Sequence, residues 1–95
     1  MKKEIRVMVY ETFRCPEGNE YTAYVILRGT LSVEHVGFID GGQRALDEFL
    51  AGPGLGRGVR LRVRLDAISQ ADVEGLRVYE DFIKRFFAEV YKLLC

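Results

Sequence analysis

The sequence predicts an α+β domain: an antiparallel sheet of about four strands, in the chain order βββαβα, packed by a short helix and a long C-terminal helix. Three observations carry this. Residues 4–39 fall into three β-rich runs parted by glycine- and proline-containing turns, residues 59–66 alternate strictly, and residues 76–95 place apolar side chains at helical spacing with no glycine or proline.

In residues 4–13, Ile5, Val7 and Val9 share one side while Arg6, Met8 and Tyr10 share the other, the signature of a half-buried strand. Cys15-Pro16-Glu17-Gly18-Asn19 is dense in turn formers, so residues 21–28 (YTAYVILR) return as a second strand. A third strand is predicted over 30–39. Asp40 as N-cap with Gln43 reaching back predicts a helix over 41–51, with Leu46, Phe49 and Leu50 as its apolar stripe. Gly52-Pro53 stops it, with Gly52 expected in the left-handed position. Residues 59–66 form the fourth strand.

Ser69-Gln70-Ala71-Asp72 reads as a capping box, with Ile68 and Val73 placed as a hydrophobic staple. From there Leu76, Tyr79, Ile83, Phe86, Val90 and Leu93 recur three and four apart, and Phe82, Phe87, Tyr91 and Leu94 widen the stripe. About 25 helical residues make a rod of roughly 38 Å, longer than the roughly 30 Å globule that such a chain forms. The surplus predicts a partner chain, most simply a two-fold homodimer with Phe82, Phe87, Tyr91 and Leu94 at its interface.

A chain of 95 residues makes a single domain over 1–95. Fourteen basic residues balance fourteen acidic ones, which removes the field of a general nucleic-acid coat. Residues 41–66 nevertheless hold five arginines against Asp47, Glu48 and Asp66, a local excess of two. No apolar run reaches the roughly 20 residues of a membrane span. Met1-Lys2-Lys3 leads into a strand pattern rather than a secretory leader, so the expected location is the cytoplasm. Cys15 and Cys95 fit no zinc or redox spacing; two free thiols are expected, with a Cys15–Cys95 or intermolecular disulfide as the alternative.

The stretch AGPGLGRGVRLRVRLD (51–66) poses the question of a phosphate-binding glycine loop. Such loops run strand, glycines, helix, so that the helix N-terminus faces the anion. Here a helix precedes the glycines and a strand follows, so the glycines cap and turn. The arginines are a different matter. Arg60, Arg62 and Arg64 share one side of the fourth strand, and with the strands aligned Arg6, Tyr10, Tyr24 and Arg28 join that face. Arginine beside tyrosine on an open sheet suits phosphate contact and base stacking, making Arg60, Arg62, Arg64, Arg6, Tyr10 and Tyr24 candidate RNA contacts. The competing reading is a solvated face on which Glu4 and Glu34 pair with those arginines.

The order βββαβα with Glu11, Glu48 and Asp66 also resembles ribonuclease H-like folds, which implies a metal-dependent nuclease as an alternative function. Helical phase and strand parity set these acids apart, however, and the chain stops before that family's last strand. His35 has no serine or cysteine placed beside it to form a nucleophilic pair, and no motif requires a cofactor.

Leu76-Arg77, Asp81 and Arg85-Phe86, behind a strand and on the final helix, resemble a C-terminal signature of the small dimerising subunit of the KEOPS complex, which makes threonylcarbamoyladenosine on tRNA. That family carries Leu-Arg, Asn and Arg-Trp at these spacings, so Asp81 replaces Asn and Phe86 replaces Trp. The likeness covers about the last 35 residues. The family places a helix between its first two strands, where this chain reads as hairpin and strand. The resemblance implies a non-catalytic homodimeric subunit of an RNA-modification assembly. A protein-interaction domain unrelated to nucleic acid is the third reading.

Overall fold

In the computed structural model, residues 5–29, 32–70 and 75–95 are described. Two strands that bury side chains of both parities occupy the middle of the sheet. β1 (Arg6–Arg14) and β2 (Glu20–Arg28) bury Val7, Met8 and Val9 and all of Thr22–Leu27, side chains of both parities, as strands covered on both faces must. The predicted turn joins them: Gly18 takes φ +102°, the Cys15 N–H donates to the Asn19 carbonyl at 2.7 Å, and Arg14 faces Glu20. β3 (Ser32–Asp40) pairs antiparallel with β2, with a bulge opposite Ile26/Leu27.

The sheet order is β3-β2-β1-β4, and β4 (Leu61–Arg64) runs parallel to β1. The sheet is therefore mixed rather than wholly antiparallel. Alternation of side chains does not encode strand direction; the helix between β3 and β4 does, because it is a crossover that carries the chain back to the end of the sheet where β3 began. β4 is also shorter than the 59–66 alternation, since a 3-10 segment begins at Leu65 and continues to Gln70.

α1 spans Gln43–Ala51. Its cap differs from the expected one: Asp40 ends β3, Gly42 holds the N-cap without a side-chain bond, and Gln43 donates forward to Asp47 at 3.2 Å. Gly52 is extended (φ −84°) rather than left-handed, and its N–H still closes the helix on the Glu48 and Phe49 carbonyls. The glycine stretch then folds back on α1. A Cβ at Gly56 would stand 2.8 Å from Leu50 Cδ2 and 2.9 Å from the Phe49 ring, so glycine is needed for that approach. Gly56→Ala is expected to cost about 1–3 kcal/mol by overpacking, read as a lower urea midpoint at unchanged slope.

The predicted C-terminal rod is broken. Asp72 and Val73, of the expected capping box and staple, lie outside the described residues. Gly75 takes the left-handed conformation (φ +86°), a 3-10 turn follows over Leu76–Tyr79, and α2 starts at Glu80 and ends at Leu94. Fifteen helical residues give roughly 22 Å, so the surplus length that argued for a partner is absent.

The core has two parts. Val7, Val9, Ala23, Val25, Leu27 and Val63 pack under Ile68, Leu76, Ile83, Phe87 and Val90; on the opposite face Met8, Tyr24 and Ile26 pack under Leu46 of α1. Cys15, at the end of β1, is disulfide-bonded to Cys95 (Cα–Cα 5.2 Å), which corrects the expectation of free thiols. The last turn of α2 ends beside the β1–β2 hairpin, a meeting that spacing in the chain cannot reveal. No helix among the described residues is long and apolar enough to cross a membrane.

Candidate interaction surfaces

The two helices are offset across the sheet. α1 lies over β2 and β3 on one face, whereas α2 lies over β1 and β2 on the other. Each face therefore keeps one uncovered strand at its margin: β3 on the α2 side and β4 on the α1 side.

The β4 margin carries the predicted arginines. The register sets Arg28, Arg6 and Arg60 in one row, then Ile26, Met8 and Arg62, then Tyr24, Tyr10 and Arg64, so the six candidate RNA contacts do share a face. That face is not open, because α1 divides it. Tyr24 is buried beneath α1, its ring 5.3 Å from Phe49 and 5.8 Å from His35, and burial raises its phenol pKa. Gly37, beside it on β3, is what admits the ring: a Cβ there would lie 2.8 Å from the Tyr24 hydroxyl. Arg6 is also taken. It bonds Glu34 at 2.7 Å and donates to the carbonyls of Leu55 and Arg57, clamping the glycine stretch, while Arg28 reaches Glu34 at 3.1 Å. Pairing with Glu34 is what the solvated-face reading anticipated; Glu4 lies outside the described residues.

Arg60, just before β4, and Arg62 and Arg64 on it remain exposed. Arg62 meets Asp47 at 3.6 Å and Arg64 meets Asp66 at 3.4 Å, every partner at least half exposed. An open depression of about 560 Å³ runs beside them, lined by Tyr10, Leu61, Arg62, Val63, Arg64, Ala67 and Gln70.

The β3 margin is apolar. Val33, Val36 and Phe38 pair with Leu27, Val25 and Ala23, which places them on the α2 side, yet they are 40, 37 and 51% exposed. An aromatic row leads to them from α2: Tyr91 to Phe13 (5.4 Å), Phe13 to Tyr21 (6.0 Å), Tyr21 to Phe38 (6.1 Å). The four predicted interface residues do not form one band. Phe87 is core, Leu94 packs against the core, and Phe82 and Tyr91 are exposed. Val33, Val36 and Phe38 were not singled out by the sequence, because Val36-Gly37-Phe38-Ile39 is apolar at both parities and strand order alone puts it at a margin.

The acids do not converge. Glu11 shares the α2 side with Val9, Glu48 stands exposed on α1 across the sheet, and Asp66 is held by Arg64. Among the described residues no three of His, Cys, Asp and Glu are placed to hold a metal ion. In the C-terminal signature Leu76 is core, Arg77 donates to the Ser69 carbonyl at 2.8 Å, Asp81 and Arg85 are exposed, and Phe86 is half-buried. Compared with known protein families, with curated proteins and with solved structures, the chain matches none.

Proposed function

We propose that the chain is a non-catalytic module that works as a homodimer joined along β3. The observation that carries this is a nine-residue edge strand displaying Val33, Val36 and Phe38 to solvent. An edge strand offers unpaired N–H and C=O groups, and natural proteins normally blunt such edges with charge, proline or cover. From Val36 to Ile39 this one carries no charge and no proline.

Strand β3 suits a second copy of itself. Antiparallel pairing about a two-fold axis at Gly37 sets Val36 of each copy against Phe38 of the other, a β-branched–aromatic pair made twice. Lysine and arginine are absent from β3, so no cations oppose one another; the same register sets Glu34 opposite Asp40 of the second copy, and the Glu34 carboxylate is paired within its own chain by Arg6 and Arg28. The aromatic row through Tyr21, Phe13 and Tyr91 extends the apolar area, so Tyr91 keeps an interface role while Phe87 loses it. The resemblance of Leu76-Arg77, Asp81 and Arg85-Phe86 to the KEOPS subunit supports an RNA-modification assembly as the setting.

Light scattering over a concentration series tests the reading. The wild-type chain should have twice the monomer mass, and Phe38→Glu should halve it while each copy stays folded, its melting temperature lower only by the stabilisation that association supplied. Phe82→Glu, on an exposed α2 position away from β3, should remain dimeric. A wild-type monomer, or a dimer split by Phe82→Glu and not by Phe38→Glu, overturns pairing through β3.

A further inference from the structure

We propose that the free edge of β4 binds the sugar-phosphate backbone of single-stranded nucleic acid, with Arg60, Arg62 and Arg64 meeting successive phosphates and Tyr10 offering its ring to a base. This site lies at the opposite margin of the sheet from β3, so it stands or falls separately from dimer formation.

Periodicity is the first argument. Alternate residues of a strand are about 6.6 Å apart, which suits one cation for each unit of an extended nucleotide chain. Three guanidinium groups therefore form a line rather than a cluster, and a line fits a polyanion better than a single phosphate. The second argument is availability. Arg60 has no ion-pair partner among the described residues, and the same holds for Arg57 just before it. Arg62 and Arg64 are held by Asp47 and Asp66 in contacts of 3.4–3.6 Å at exposed positions. Such surface pairs are weak and screened, so a phosphate can take over the guanidinium while the carboxylate returns to water. The third argument is the neighbour. Tyr10 pairs in register with Arg64, is half-buried, and lines the same depression as Arg62, Arg64 and Gln70. An aromatic face beside a row of arginines accepts bases without selecting sequence. A helical duplex, by contrast, needs a surface that enters a groove, whereas this strip is a short edge between α1 and the 3-10 segment. An acidic peptide would use the arginines and leave the tyrosine unused.

The test uses a short 5′-labelled oligouridylate, followed by fluorescence anisotropy at several salt concentrations. Three phosphate contacts predict a slope of log K against log salt of about −2, or roughly a twentyfold loss between 50 and 200 mM. Arg60→Gln/Arg62→Gln/Arg64→Gln should abolish both binding and slope, while the melting temperature stays within a few degrees because all three side chains are exposed. Tyr10→Leu should weaken binding at least about fivefold at an unchanged slope. No binding at low salt overturns the proposal. So does polyglutamate binding as tightly with the same arginine dependence and no effect of Tyr10→Leu, which would assign the strip to acidic peptides. Equal affinity for duplex RNA would also overturn it. The Phe38→Glu chain should bind the oligonucleotide at each subunit as the wild type does, so failure of one proposal leaves the other readable.

Discussion

Cleaving the Cys15–Cys95 disulfide, by a reductant or by Cys95→Ser, is expected to lower the unfolding free energy by about 4–5 kcal/mol. The two cysteines are 80 positions apart, and in the chain-entropy account closing a loop of that length restrains the unfolded chain by about that amount. A domain of this kind is stable by only about 5–15 kcal/mol in total, so reduction removes a large share. Urea titrations with and without dithiothreitol make the comparison. Freed of its cross-link, the denatured chain expands, so the slope should rise as the midpoint falls. A change below about 1 kcal/mol would mean that the bond contributes little in solution.

Phe87→Ala should destabilise the chain by about 3–5 kcal/mol, the range for truncating a buried aromatic ring, and Phe82→Ala by no more than about 0.5 kcal/mol. The two residues look alike in the sequence, both on the second flank of the same amphipathic run. Phe87 is 5% exposed and packs in the α2-side core with Ile83 and Val90, whereas Phe82 is 47% exposed. Calorimetric melting separates them. Phe87→Glu, which the sequence suggests as a way to split a dimer, should instead unfold the chain by placing a carboxylate in that core. Equal losses at 82 and 87 would mean that α2 is rotated about its axis.

The elements were legible because alternation and helical spacing are properties of short windows. The meander, the Gly18 turn and α1 all follow from residues within about ten positions of one another. Even the shared face of Arg6, Tyr10, Tyr24 and the β4 arginines is readable by parity. What parity does not give is cover. Tyr24 and Arg64 stand in the same row, yet α1 lies over one and leaves the other in water. Strand order has the same character: it decides that apolar β3 is a margin and apolar β1 a centre, and no local pattern distinguishes them. The C-terminal helix was overestimated for a different reason. Leu76 and Tyr79 continue the apolar spacing of α2 backwards, but Gly75 turns the chain and a 3-10 turn intervenes.

The disulfide also divides the chain topologically. With Cys15 joined to Cys95, everything from β2 to α2 is a covalent ring, and residues 1–14 form a tail attached at one point. That tail contains β1, the strand to which both β2 and β4 bond. In the oxidised chain the two flanking strands cannot meet each other's partners without it, since β1 fills the slot between them. In the folded chain β1 thus sits as a tethered strand between two strands of a covalent ring, held at residue 15 where tether and ring meet.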